Sequence, residues 1–122
     1  MKSFVAATIL LAALVCTAFF TSHALTEAAD ELAGQAERLR EANAAEREHA
    51  SERIEALWKE KRFAFSMAIN HSELDPLEGA LARLKGAANA EDGDDYLIAA
   101  AELAASLAHI RELCAVSLDN IL

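Results

Sequence analysis

Residues 4–20 read FVAATILLAALVCTAFF and contain no charged residue, no Gly and no Pro. The uncharged run extends further, over residues 3–26. As a helix rising about 1.5 Å per residue, this longer run spans roughly 36 Å, enough to cross a hydrocarbon core of about 30 Å. The nine Leu, Ile, Phe and Val side chains of residues 4–20 favour insertion by about 3–5 kcal/mol. The stretch therefore predicts one membrane span, from Phe4 to Phe20.

The same stretch also fits a cleavable secretory signal. Lys2 supplies an early positive charge, residues 4–15 supply an apolar run, and residues 22–24 (Ser-His-Ala) form a small-x-small cleavage site. We favour an uncleaved membrane anchor over residues 1–25, and a cleaved signal peptide is the alternative.

The charges that flank the span predict its orientation. Lys2 lies on one side, whereas the other side begins with Glu27, Asp30 and Glu31, and its first base is Arg38. Positively charged flanks stay in the cytoplasm. We therefore expect a single-pass protein with a cytoplasmic N-terminus and an extracytoplasmic domain over residues 26–122.

Composition limits the partners of that domain. The chain has 122 residues and a net charge of −9 at pH 7, and such an acidic surface argues against nucleic acid as a partner. Cys16 lies in the middle of the span, so we do not expect it to pair with Cys114 of the same chain. Cys114 is expected in the core, and a disulfide between two copies through it is the alternative.

One Pro, four Gly and abundant Ala, Leu and Glu predict an all-α protein. We expect an N-terminal transmembrane helix followed by a small antiparallel bundle of about four helices, or by two stacked helical hairpins. The first helix should continue from the anchor, because small and aliphatic residues recur at helical spacing in one stripe: Leu25, Ala29, Leu32, Ala36 and Leu39. That stripe fits packing on the other helices and packing on a second copy equally well, so a homo-oligomer stays open.

The second helix is predicted over residues 47–70, after a short polar turn at residues 43–48. Most of the bulky side chains of the soluble domain fall in it, namely Trp58, Phe63, Phe65 and Met67, with the bases Lys59, Lys61 and Arg62 between them. A docking surface is one interpretation of this segment. Core packing, with the basic stems lying along the apolar surface, is the favoured one.

Two further helices complete the predicted bundle. Asp75 as N-cap and Pro76 as first residue predict a third helix over residues 76–90, because Pro suits the first helical position. Its inward positions are Leu77, Leu81, Leu84 and Ala88. An acidic turn at residues 91–95, whose last Asp should cap the next helix, precedes a fourth helix that runs from about residue 94 to residue 114 or slightly beyond.

The fourth helix shows two adjoining apolar stripes, as expected for a helix with two neighbours. One stripe is Leu103, Leu107, Ile110 and Cys114, and a flatter one is Leu97, Ala101, Ala104 and Ala108. The final segment is apolar, and we expect Leu118 and Ile121 to pack back on the domain.

His71, Asp75, Arg83 and His109 are the candidate functional residues. Antiparallel packing of the last two helices should bring His109 toward the start of the third. Two His and one Asp could form an acid–base pair or a zinc site with an open position. No HxxxH or CxxC spacing, Gly-rich phosphate loop or nucleophile elbow supports that chemistry. We therefore favour a structural polar network, without cofactor, metal or enzymatic activity.

Several short motifs resemble one uncharacterised bacterial family. They are His71 with Glu73 and Asp75, Ala82-Arg83-Leu84-Lys85, His109-Ile110, and the closing Ser117-Leu118-Asp119-Asn120-Ile121-Leu122. The family is a domain of unknown function whose short members, mainly Gram-positive and often spore-forming, carry one N-terminal span and a helical domain. This chain departs from it in being richer in Ala and in having Pro76. The resemblance implies no established activity, and the frequent proximity of its genes to one for a small multi-span membrane protein implies a membrane partner.

The favoured functional hypothesis is a membrane-anchored extracytoplasmic module that serves interaction or structure at the cell envelope. It would contact the lipid bilayer through residues 4–20 and bind an unidentified membrane or envelope protein. The alternative is a small metal-binding or hydrolytic protein that uses His71, Asp75 and His109. A third hypothesis is a pH-responsive switch, because histidines titrate near neutral pH.

Overall fold

The computed structural model describes the backbone of residues 1–121 and the side chains of residues 1–21 and 23–116. It contains four helices: α1 (Lys2–Glu41), α2 (Arg47–Ala68), α3 (His71–Asn89) and α4 (Gly93–Ile121). No strand occurs in residues 1–121, so the predicted all-α class is confirmed.

The helices form a ring of four neighbours. α1 packs on α2 and α4, and α3 packs on the same two helices. Because the connections are short, sequential helices run antiparallel. The predicted small antiparallel bundle is confirmed, and α1 combines the apolar N-terminal segment with the first helix of the bundle.

α1 is one unbroken helix of 40 residues, about 60 Å long at the usual rise. Its predicted inward stripe is confirmed, since all five members are buried: Leu25, Ala29, Leu32, Ala36 and Leu39. Arg38 and Arg40 occupy the last turn, where positive charge suits the negative end of the helix dipole. Ala42 is extended and Asn43 accepts a bond from the Glu46 amide, so the turn falls close to its predicted place.

α2 divides the bulky residues that the sequence grouped together. Trp58 and Phe65 are buried and stacked, with ring centroids 5.6 Å apart. Phe63 and Met67, in contrast, are 74% and 75% exposed. Core packing is therefore confirmed for the first pair and wrong for the second, because Phe63 and Met67 lie on the opposite side of the helix from Trp58 and Phe65.

The predicted start of α3 is wrong. The helix begins at His71, and the Asn70 side chain caps it by accepting a hydrogen bond from the Ser72 amide at 3.2 Å. Pro76 lies inside the helix. The earlier start brings Leu74 into the core, fully buried, which offsets the backbone bond that Pro76 cannot make. The predicted inward face of α3 is confirmed by four buried residues: Leu77, Leu81, Leu84 and Ala88.

α4 differs from its prediction in cap, length and second face. Asp92 caps it by accepting from the Asp95 amide at 3.1 Å, so the cap is not the last Asp of the turn. The helix continues to Ile121, seven residues past Cys114 and so further than the slight extension that was predicted. The stripe Leu103, Leu107, Ile110 and Cys114 is confirmed as buried. The flatter stripe is confirmed only at Ala104, which is partly buried against the core. It is wrong at the other positions, because Leu97, Ala101 and Ala108 are exposed. The residues buried in their place are Tyr96, Ala99 and Ala100.

The expected packing of Leu118 and Ile121 concerns side chains outside the described residues. Cys16 is exposed and Cys114 is buried, and both thiols are free. Burial raises the pKa of the Cys114 thiol.

Candidate functional site

The N-terminal half of α1 is the largest exposed apolar feature of the described chain. Its large side chains point away from any other helix and comprise Phe4, Val5, Ile9, Leu10, Leu11, Leu14, Val15, Phe19 and Phe20. α1 is one helix long and apolar enough to cross a membrane, and none of its most apolar window is buried. A core helix of a soluble protein would be covered, whereas a signal sequence has the same length, composition and position.

Arg83 links α3 to α4 through two carboxylates. Its Nη2 lies 2.7 Å from Oδ1 of Asp95, and its Nη1 lies 3.0 Å from Oε1 of Glu102. Asp95 first, and Glu102 after it, raise the pKa of the guanidinium. The predicted site residue Arg83 thus joins two helices at their exposed seam.

His109 and Glu73 form a second link across the same pair of helices. Nε2 of His109 lies 2.7 Å from Oε2 of Glu73, in the first turn of α3. The prediction that antiparallel packing brings His109 toward the start of the third helix is confirmed. Both side chains are about half exposed.

His71 and Asp75 are exposed on the first turns of α3. Among the described side chains, no hydrogen bond or ion pair joins either residue to the other or to His109. The pKa of Glu78 is lowered chiefly by Arg62, and the smallest contribution comes from the charge of His71. Arg62 holds Glu78 with bonds of 3.0 and 3.2 Å.

The structure therefore separates the predicted four-residue cluster into distinct contacts. His109 meets Glu73, Arg83 meets Asp95 and Glu102, and neither pair includes His71. Within the part of the chain that the structure describes, no group of three His, Cys, Asp or Glu residues could hold a metal ion.

Tyr96 is a polar core residue that the sequence reasoning missed. It is fully buried, and its hydroxyl donates to the Leu39 carbonyl at 2.9 Å, which ties α4 to the end of α1. The Arg47 guanidinium carbon lies 5.0 Å from the ring centroid, a cation–π distance. Burial raises the pKa of Tyr96. Two features of the sequence could have indicated its burial: Tyr96 is the single Tyr of the chain, and it follows closely on a capped helix start.

Gly93 makes room for that arrangement. A Cβ at this position would stand 2.9 Å from Nη1 of Arg47, closer than a side chain normally approaches. A side chain at Gly93 would therefore require the end of the Arg47 side chain to shift from its present position.

The four-helix fold and the exposed apolar segment of α1 together define a class of protein: a small helical bundle whose N-terminal helix is long and apolar enough to span a membrane. Residues 19–121 match the family described as a domain of unknown function, DUF4363, and the chain belongs to that family. The match covers most of the chain and confirms the predicted resemblance to a domain of unknown function. No curated protein and no solved structure matches the chain.

Proposed function

We propose that the protein is a membrane-tethered helical module, with residues 4–20 in the bilayer and the bundle held at the membrane surface. The observation that carries this proposal is the continuity of α1. One helix runs from an apolar segment whose large side chains are exposed, as far as the structure describes them, into a stripe that is buried in the core. Nothing but lipid or another apolar surface could cover residues 4–20 favourably.

The same continuity supports an anchor over a cleaved signal. Residues 22–24, which resemble a cleavage site, lie inside α1, whereas proteases prefer exposed loops and flexible segments. With Lys2 retained in the cytoplasm by the positive-inside rule, the bundle lies on the extracytoplasmic side.

The proposed role of the bundle is to bind a membrane or envelope protein or to support one. Arg83 and His109 engage carboxylates of a neighbouring helix, which supports a structural rather than a catalytic role for them. The acidic surface favours a protein partner over nucleic acid. Such a module needs no cofactor.

Membrane fractionation tests the tether. The full chain with a C-terminal tag is expected to stay in the membrane pellet after alkaline carbonate extraction, and the N-terminal sequence of the pelleted protein should begin before residue 4. A matched chain that starts at Leu25 keeps every buried residue and should be extracted. Full-length expression that yields a soluble product starting at Leu25 would overturn the anchor.

Cross-linking in native membranes followed by mass spectrometry tests the partner. We expect cross-links from the exposed lysines of the bundle, such as Lys59 and Lys85, to one recurrent membrane or envelope protein. A chain whose cross-links are only internal, at the same expression level, would contradict the interaction role.

A further inference from the structure

We propose that Phe63 and Met67, here called the α2 foot, insert into the interface of the same membrane that α1 crosses. This inference rests on the proposed tether and adds a second lipid contact to it. The two side chains are four residues apart on one face of α2 and are 74% and 75% exposed. They are the two large apolar residues of α2 that the core does not cover.

Contacts between α1 and α2 give a first measure of the height of the foot. Arg38 and Ala50 line the same cleft near the α1–α2 turn, so they lie at similar levels. Met67 lies seventeen residues further along α2, and seventeen residues back along the antiparallel α1 is Thr21. Equal rise along both helices thus places Met67 about level with Thr21.

A second route passes through the other helices. Three contacts join neighbouring helices in turn: Arg62 with Glu78, Glu73 with His109, and Arg111 with Asp30. Met67 lies five residues after Arg62 and is therefore level with Glu73, five residues before Glu78. Glu73 meets His109, which lies two residues before Arg111 and is therefore level with Leu32, two residues after Asp30. Thr26, where the uncharged run of α1 ends, lies between the two positions that these routes give, Thr21 and Leu32. Thr26 lies six residues, about 9 Å, beyond Phe20, where the proposed span ends, so the foot lies at the height of the headgroups.

The chemistry of the foot suits that height. Phe is among the side chains that interfacial helices bury at the boundary between headgroups and acyl chains, and Met is a flexible apolar group that adapts to irregular surroundings. Lys59 lies one turn before Phe63 on the same side of α2, and a long basic side chain can extend its ammonium group to the headgroups while its stem stays apolar. Lys61 lies on the opposite side of the helix. Both ammonium groups also have carboxylate neighbours, so apolar insertion rather than net charge drives the contact.

A second copy of the chain fits this face less well. Stable protein interfaces bury about 800 Å² on each partner and involve roughly 20–30 residues a side. Two large apolar side chains surrounded by charges fall well short of that. The bilayer requires no such area, because α1 already holds the bundle against it.

The opposite end of the bundle provides a matched control. Leu97 and Ile98, near the start of α4, are 43% and 50% exposed. The adjacent Tyr96 binds the carbonyl of Leu39, which fixes this pair near the membrane-distal end of α1. An exposed apolar pair at each end of one bundle separates the effect of height from the effect of hydrophobicity.

Spin-label accessibility in the full chain tests the inference. Single cysteines replace Leu14, Phe63, Met67, Leu97 or Ile98 in a background carrying Cys16→Ser and Cys114→Ala, and each is labelled with a nitroxide in phosphatidylcholine–phosphatidylglycerol nanodiscs. Oxygen partitions into lipid and a nickel chelate into water, so their collision rates report depth. Substitutions at the exposed positions should leave the fold intact, which circular dichroism of each labelled chain verifies.

We expect labels at positions 63 and 67 to collide more with oxygen and less with nickel than labels at 97 and 98. A label at 14 should be the most lipid-like. Nickel accessibility at 63 and 67 equal to that at 97, with 14 still in lipid, would overturn the foot and leave the tether standing. A water-exposed label at 14 would overturn both, and dipolar broadening at 63 with reduced access to both reagents would assign the face to a second copy.

Discussion

Residues 4–20 and 25–39 belong to the same unbroken helix, and what differs is the surface that covers them. In the head half of α1, residues 25–39, apolar side chains recur every three or four residues and are buried by α2 and α4. In the apolar half, residues 4–20, they surround the helix and are exposed in the described part of the chain. The comparison teaches that the distribution of apolar residues around a helix, rather than the helix itself, decides its surroundings.

The largest expected difference between the two halves is in folding stability. Leu32→Ala removes a fully buried side chain, and we expect the bundle to lose about 2–5 kcal/mol of unfolding free energy. Leu11→Ala in the exposed half should leave that free energy unchanged. Urea denaturation of the purified chain in detergent, followed by Trp58 fluorescence, measures both. Equal losses in the two variants would mean that the apolar half also packs on the bundle.

A charge in the apolar half should act on the membrane and not on the fold. Leu11→Arg costs about 2.5–3.5 kcal/mol of insertion free energy, comparable with the total that favours insertion of residues 4–20. We expect most of the variant to leave the membrane pellet in carbonate extraction. The matched Glu37→Arg places the same side chain on an exposed site of the head half and should stay in the pellet. Retention of Leu11→Arg would show that α1 is held by protein rather than by lipid.

A smaller effect is expected where α4 holds the end of the head half. Tyr96→Phe removes the hydroxyl that donates to the Leu39 carbonyl, and losing a buried hydrogen bond costs about 1–1.5 kcal/mol. Amide hydrogen exchange should increase in the last turns of α1 and remain unchanged in residues 4–20. An equal change in both halves would contradict local anchoring by Tyr96.

The smallest expected effect is the response to acid, and it should be confined to the head half. Lys85, and after it Lys59, lowers the pKa of Glu55 below its ordinary value of 4.5. A carboxylate whose pKa is lowered in the folded state stabilises the fold at pH values above its unfolded-state pKa. That contribution is lost as the pH falls through its folded-state pKa. Because these pairs are partly exposed, the loss should stay below about 1 kcal/mol.

Denaturation midpoints of the wild type and Glu55→Gln, measured from pH 6 down to pH 3, test this response. The variant should lose less stability over that range, while carbonate extraction of both chains remains the same. A wild type and variant with parallel pH profiles would assign the acid response to other groups.

The sequence predicted the helices well because most of their inward faces follow a simple spacing. The stripe from Leu25 to Leu39 and the face from Leu77 to Ala88 were both predicted and are buried. The start of α3 could not be predicted from local signals. Asp75-Pro76 looks like a helix start, but Asn70 caps the helix earlier because Leu74 gains burial in the core.

The candidate site was predictable in its members and not in its contacts. Antiparallel packing placed His109 near the start of α3, yet its partner is Glu73 rather than His71 or Asp75. Which carboxylate it meets depends on the rotation of α3 about its own axis, and spacing along the chain does not determine that rotation. The exposure of Phe63 and Met67 was missed for a similar reason: the neighbours of α2, α1 and α3, cover the side that carries Trp58 and Phe65, and spacing along the chain does not show on which side of a helix its neighbours lie.

The absence of a break between the halves of α1 has a mechanical consequence for a chain embedded in a bilayer. About 26 Å of helix lies between residue 24 and the end of α1, and it behaves as a lever joined rigidly to the anchor. Transmembrane helices tilt by about 20° on average, by an amount that depends on bilayer thickness. A tilt of that size would swing the α1–α2 corner sideways by about 9 Å. The bundle would thereby convert membrane thickness into the position of its outermost surface.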